Sequence, residues 1–113
     1  MTTINTPQKP VKSAALALLA RQPYTARRLA DKLSQKGYPE SEIGAILEWC
    51  AETGYVNDAE WAVRAAERKA AKSWDRRKIY AYLRSYGITR ADAEDALRTI
   101  KSDTSDYWFD DSP

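Results

Sequence analysis

The residues of this chain that could do chemistry are cations and aromatic rings. No histidine occurs, and Cys50 is the single cysteine. A His-containing zinc site, a His general base, a Cys/His nucleophile pair and an intrachain disulfide are therefore excluded. No glycine-rich loop is spaced to cradle a phosphate, and no acids and bases converge as a catalytic set would. What stands out is a basic stretch from 64 to 84. It holds Arg64, Arg68, Lys69, Lys72, Arg76, Arg77, Lys78 and Arg84 against Glu67 and Asp75, a net charge of +6 in 21 residues. Arg64, Arg68 and Lys72 recur at i, i+4, i+8, along one side of a helix. Arg76, Arg77 and Lys78 open the next helix, where positive charge opposes the macrodipole at about 0.3–1 kcal/mol each. Local stability does not ask for cations there, which favours contact with an anionic partner; a merely solvated helix face is the competing reading.

Aromatic residues flank these charges. Tyr82 and Tyr86 share an apolar stripe with Ile79 and Leu83 and are read as packing residues. Tyr80 lies off that stripe, beside Arg84, and is read as a surface contact. The candidate partner or DNA contacts are thus Arg64, Arg68, Lys72, Arg76, Arg77, Lys78, Tyr80 and Arg84. Trp49, Trp61 and Trp74 are expected to pack between helices or units, Trp74 at the corner before its helix. Cys50 falls on an apolar helical stripe and reads as a small core residue.

The elements that must position these groups are helices. Val11, Ala14, Ala15 and Leu18 fall at i, i+3, i+4, i+7, and Gln22-Pro23 stops that helix. Thr25 caps a second, with Ala26, Leu29, Ala30 and Leu33 on its stripe and Gly37 ending it. Pro39 suits the first turn of a third, with Ile43, Ile46, Leu47 and Cys50, closed by Gly54. Gly44 weakens this helix by about 1 kcal/mol relative to Ala. Asn57 or Asp58 caps a fourth, carrying Trp61, Ala62, Ala65 and Ala66. Asp75 caps a fifth, ending at Gly87, and Thr89 caps a sixth with Ala93, Ala96, Leu97 and Ile100. No period-2 pattern is sustained.

The second three helices restate the first at an offset of 50 residues. Tyr24 pairs with Trp74, Thr25 with Asp75, Arg27 with Arg77, Leu29 with Ile79, Leu33 with Leu83, Gly37 with Gly87 and Leu47 with Leu97. Such a repeat implies stacked units, each covering apolar surface that its neighbour leaves bare. The expected fold is all-α: two tandem three-helix repeats, each a right-handed helical bundle, stacked into an elongated domain. The expected organisation is an N-terminal arm without fixed structure at 1–10, repeats at 11–55 and 56–101, and an acidic-aromatic tail at 102–113.

Composition agrees with a globular protein, at 43% apolar and 30% charged residues. The net charge of +2 conceals a division: residues 1–102 carry +6 and residues 103–113 carry −4. The longest apolar run, Ala14 to Ala20, is too short to span a bilayer, and Arg21 ends it before it could serve as a signal peptide. A cytoplasmic protein with a reduced thiol is expected. The tail, SDTSDYWFDDSP, reads as a segment without fixed structure; otherwise its aromatic trio covers apolar surface, or its acids fold back on the basic face.

The ordered series YTARRLADKLSQKGYPESEIGAIL, GYVNDAEWA and SWDRRKIYAYLRSYGI resembles the RecX family of bacterial regulatory proteins. The resemblance runs over about residues 12–100. In GYVNDAEWA, the family pattern of Gly, Tyr, aliphatic, polar, Asp, two polar residues, aromatic and Ala is matched except at Ala59. The resemblance implies an all-helical modulator of the RecA recombinase, without enzymatic activity, cofactor or small-molecule substrate. Such proteins bind RecA and lie in the groove of the RecA–DNA filament. The usual member has three repeats, whereas two are legible here, which suggests a short two-repeat form. The alternatives are a DNA-binding protein, with Arg76, Arg77 and Lys78 on phosphates, or a helical module for another protein. Four neutralised phosphates would give a log-affinity slope on log salt of about −3.6. Yet no helix offers the Asn, Gln and Arg cluster that reads base edges.

Overall fold

The computed structural model describes residues 9–100; the expected arm (1–8 of it) and the acidic-aromatic tail lie outside the described residues. Six helices follow one another: α1 Val11–Arg21, α2 Ala26–Gln35, α3 Glu40–Thr53, α4 Asp58–Ala71, α5 Arg76–Ser85 and α6 Arg90–Thr99. No strand occurs among the described residues. The chain divides between Asn57 and Asp58 into two compact units of three helices each.

Helix starts follow the capping chemistry legible in the sequence. The Thr25 hydroxyl accepts the Arg28 N–H at 3.2 Å, the Asp75 carboxylate accepts Lys78 N–H at 2.8 Å, and the Thr89 hydroxyl accepts Asp92 N–H at 3.1 Å. Each satisfies one amide that has no intrahelical partner. Thr25 is fully buried, so its hydroxyl both caps α2 and fills space. Pro39 stands one residue earlier than expected: it is the extended N-cap of α3, and its carbonyl accepts the Ile43 N–H at 3.0 Å. Asp58 is the first residue of α4, with Asn57 just outside it.

Three helix ends, those of α2, α4 and α5, share one device. After α2, Tyr38 N–H reaches back to the Leu33 carbonyl at 3.2 Å and Gly37 N–H to the Ser34 carbonyl at 3.0 Å. After α5, Ile88 and Gly87 bond to Leu83 and Arg84 at 3.2 and 3.0 Å. Both are Schellman motifs, with Gly37 and Gly87 in the left-handed region at φ 98° and 89°. α4 ends likewise, Trp74 N–H to Lys69 carbonyl at 3.1 Å and Ser73 N–H to Ala70 carbonyl at 2.9 Å, but its left-handed residue is Ser73, at φ 68°.

Each unit has a core of its own. In the first, Ala14 and Ala15 of α1, Leu29 and Leu33 of α2, and Ile43, Ile46 and Cys50 of α3 are buried together. Tyr38 and Val56, from the connections, complete it. In the second, Ala62, Ala65 and Ala66 meet Ile79, Leu83, Ala93 and Ala96, with Ile88 from the connection. Burial holds the Cys50 thiol above its ordinary pKa, the neutral small core residue expected there.

Candidate partner-binding surface

The basic stretch maps onto α4, the corner at Ser73 and Trp74, and α5. Arg64 and Arg68 are exposed on α4, and Lys72, expected on the same helix, is exposed in the turn just after its end. Arg64 bonds to Glu60 one turn back at 2.9 Å; both side chains are more than half exposed, so the pair contributes little to stability.

Four rings pack side by side along this part of the second unit. Trp61 stacks on Tyr86 at 5.0 Å between centroids, Tyr86 lies 4.9 Å from Tyr82, and Tyr82 meets Trp74 edge-on at 5.6 Å. All four are half-buried. Two lysines lie over them. Lys69 Nζ is 4.6 Å from the Trp74 ring and 4.7 Å from the Tyr82 ring, and Lys78 Nζ is 4.3 Å from the Trp74 ring. Cation–π contacts at exposed sites contribute about 0.5–1 kcal/mol each. They hold the stems of the lysines on the rings while the ammonium groups stay hydrated. Burial pushes the Tyr82 phenol above its ordinary pKa; a hydrogen bond and repulsion with Tyr86 add to this, and Arg68 opposes it. Arg68, Lys69 and Lys78 thus converge on Trp74 and Tyr82, from two helices.

The remaining candidates are placed differently. At 100° per residue, Lys78 and Tyr82 fall on one side of the Ile79–Leu83 stripe and Arg76, Tyr80 and Arg84 on the other. Arg76 Nη2 donates to the Leu97 carbonyl of α6 at 2.8 Å, a link inside the unit. Arg84 donates to the Tyr80 hydroxyl at 3.2 Å. Tyr80, expected on the surface, is half-buried against the core, because its ring covers core residues while its hydroxyl meets Arg84. Arg77 and Lys72 project into solvent. Lys69 was not among the candidates from spacing alone; its position five residues before Trp74, across the end of α4, is the signal that could have found it.

The first unit carries a smaller version. Lys12 Nζ lies 4.2 Å from the Trp49 ring, and Trp49 stacks on Tyr55 at 5.4 Å. Tyr55 is the one exposed large hydrophobic residue among those described, at 53%. Among the described residues, no group of His, Cys, Asp and Glu is placed to hold a metal ion, and no helix is long and apolar enough to cross a membrane.

The architecture defines an all-helical protein of two three-helix repeats whose second repeat displays cations on a bed of aromatic rings. Comparison with known proteins agrees with the all-helical repeat fold. The model for the first three-helix domain of RecX matches residues 12–50. The regulatory protein RecX of Caldanaerobacter subterraneus is 37% identical over 92 residues, covering 81% of this chain and 47% of that protein. RecX of Ectopseudomonas mendocina is 30% identical over 100 residues, 88% of this chain and 64% of the relative. RecX of Vibrio parahaemolyticus is 29% identical over 99 residues, 88% and 61%. The chain belongs to the RecX family. It spans about half to two thirds of the length of these relatives.

Proposed function

We propose that the chain is a regulatory binding protein that modulates the RecA recombinase, or its filament on single-stranded DNA, in the cytoplasm, and that it works by binding rather than catalysis. The contact surface is the cationic face of the second unit. The observation that carries this reading is the convergence of Arg68, Lys69 and Lys78 on Trp74 and Tyr82. Lysines laid over rings lose less conformational freedom on meeting an anionic surface than lysines that wander in solvent. Arg64, Lys72 and Arg77 widen the field around them and speed encounter.

The test is capture of RecA by the purified chain, with and without single-stranded DNA and nucleotide. Binding that requires the assembled filament supports the reading. The triple variant Arg68→Ala/Lys72→Ala/Arg77→Ala should bind more weakly and with a flatter dependence on salt. Unchanged affinity in that variant removes the basic face from the mechanism. Binding to bare DNA with none to RecA would replace the reading by direct nucleic-acid recognition.

A further inference from the structure

The first turn of α5 is electrically unbalanced. α1 and α2 also begin without an acid, but in the second unit both neighbours of α5 begin with acids: Asp58 and Glu60 in α4, and Asp92 in α6. α5 begins with Arg76, Arg77 and Lys78 and has no acid in its first turn. The positive end of its dipole therefore adds to three cations, with Asp75, occupied as the cap, as the local counter-charge. The Arg76–Leu97 hydrogen bond fixes what lies next to this turn: the last turn of α6. The chain accordingly leaves α6, at Ile100, beside the most cationic helix start in the unit. The residues that follow are Asp103, Asp106, Tyr107, Trp108, Phe109, Asp110 and Asp111.

We propose that the first turn of α5, with the Trp74–Tyr82 rings and Lys69 beside it, is a docking surface for this chain's own segment Asp103–Asp111, which competes there with external polyanions. The segment lies outside the described residues, but its sequence and its attachment point favour this occupant. Three residues reach at most about 10 Å and nine about 30 Å, so Asp103 and Asp106 come within range of Arg77 and Lys78, and the later residues within range of the rings. The charges are complementary: −4 over residues 103–113 against the exposed Arg77, Lys78 and neighbouring Lys72. The aromatic content is complementary too, since Tyr107, Trp108 and Phe109 would add to rings already half-buried. Tethering makes the contact intramolecular, with an effective concentration that an untethered peptide would not reach. The consequence is autoinhibition: an external partner meets a surface available only in the undocked fraction, and its apparent affinity falls by that fraction.

The experiment uses the full chain, isotope-labelled for amide NMR, and a fluorescent oligo-dT as the polyanion probe. Two variants are compared with it: Asp103→Asn/Asp106→Asn/Asp110→Asn/Asp111→Asn, and Trp108→Ala/Phe109→Ala, which leaves the charge unchanged. Both alter residues that follow α6 in the chain. Both should move the amide signals of Arg77 and Lys78 and the Trp74 indole signal, and the differences should vanish near 1 M salt, where screening acts within about 3 Å. Both should bind oligo-dT more tightly, about fivefold if the surface is undocked in about one molecule in five. In an Arg77→Glu/Lys78→Glu background, the same tail substitutions should move nothing. Coincident spectra at these positions would overturn the proposal. So would tighter binding by the charge variant alone, which is long-range repulsion relieved, or shifts that depend on protein concentration, which place the segment on a second copy. None of these readouts contains RecA, so their failure and the failure of the proposed function are distinguishable.

Discussion

Arg76 and Arg77 are neighbours of the same charge, and the structure gives them opposite consequences. Arg76→Ala removes a charge-assisted hydrogen bond that ties the first turn of α5 to the last turn of α6. A hydrogen bond to a charged group contributes about 1.5–3 kcal/mol. The cation also stabilises the C-terminal end of α6 by about 0.3–1 kcal/mol and destabilises the N-terminal end of α5 by a similar amount, so the dipole contributions offset. The net loss is then about 1.5–3 kcal/mol. Arg77 is exposed and keeps only the unfavourable dipole effect. Arg77→Ala should leave stability unchanged or raise it by up to about 1 kcal/mol. Arg76→Lys should lie between, because an ammonium reaches the carbonyl without the planar fork. Urea unfolding of the full chain and these three variants, followed by helical circular dichroism, measures the order directly. Equal stability of the Arg76→Ala and Arg77→Ala proteins would refute the assignment of Arg76 to the scaffold and return it to the contact surface.

Other positions give sharper single readouts. Ser73→Gly relieves a left-handed residue at φ 68°, a cost of about 1–2 kcal/mol, and returns about 0.5–1 kcal/mol through chain entropy. The melting temperature should rise by a few degrees, and a fall would show that Ser73 carries an interaction of its own. Gly44→Ala should stabilise α3 by about 1 kcal/mol, since nothing lies within 4 Å of the added methyl; a destabilised variant would contradict that open space. The raised pKa of Tyr82 gives a pH dependence of definite sign. The folded state holds the proton after the unfolded chain has lost it, so the contribution is complete below about pH 10 and disappears as pH rises through the folded pKa. Thermal melts at increasing alkalinity should fall more steeply for the parent than for Tyr82→Phe, and parallel curves would count against a buried phenol.

Where the sequence can be read locally, it was legible. The caps at Thr25, Asp75 and Thr89 and the left-handed glycines at 37, 54 and 87 depend on residues within one or two turns. The apolar stripes were legible for the same reason. The buried connection residues Tyr38, Val56 and Ile88 were less so, because they follow a helix end rather than a helical period. Tyr38 and Ile88 each sit directly after a left-handed glycine, the position that folds back on its helix, so a rule exists that would find them. Arg76 could not be assigned from pattern at all. Its partner is a backbone carbonyl 21 residues away, and no side chain advertises it. The eight candidate contacts therefore looked like one strip, while α5 separates Lys78 from Arg76, Tyr80 and Arg84 around its axis.

The two repeats bury the same positions with different volumes, and this explains where the aromatic rings went. Ala15 and Ala65, Leu29 and Ile79, and Leu33 and Leu83 are matched and buried in both units. At the third helix, however, Ile43 and Ile46 become Ala93 and Ala96. The second core is thus small-sided on both α4 and α6, and these two helices make the most extensive contact of the unit. Apolar volume lost from the centre reappears at the edge as Trp61, Trp74, Tyr80 and Tyr82, packed against the cluster from outside. The counterparts of Trp61 and Tyr82 in the first repeat are Val11 and Lys32. Close approach of α4 to α6 and the aromatic edge are then two parts of one solution, and the edge is where Lys69 and Lys78 rest. The first repeat's own residue should accordingly fail in the second. Ala93→Ile places a branched side chain at a site with 0% exposure, and overpacking costs about 1–3 kcal/mol. The strain should spread to the ring cluster, changing the near-ultraviolet dichroism of the tryptophans as well as the unfolding midpoint. An Ala93→Ile protein as stable as its parent, with an unchanged aromatic spectrum, would mean that the helices are not held at the distance the small residues permit.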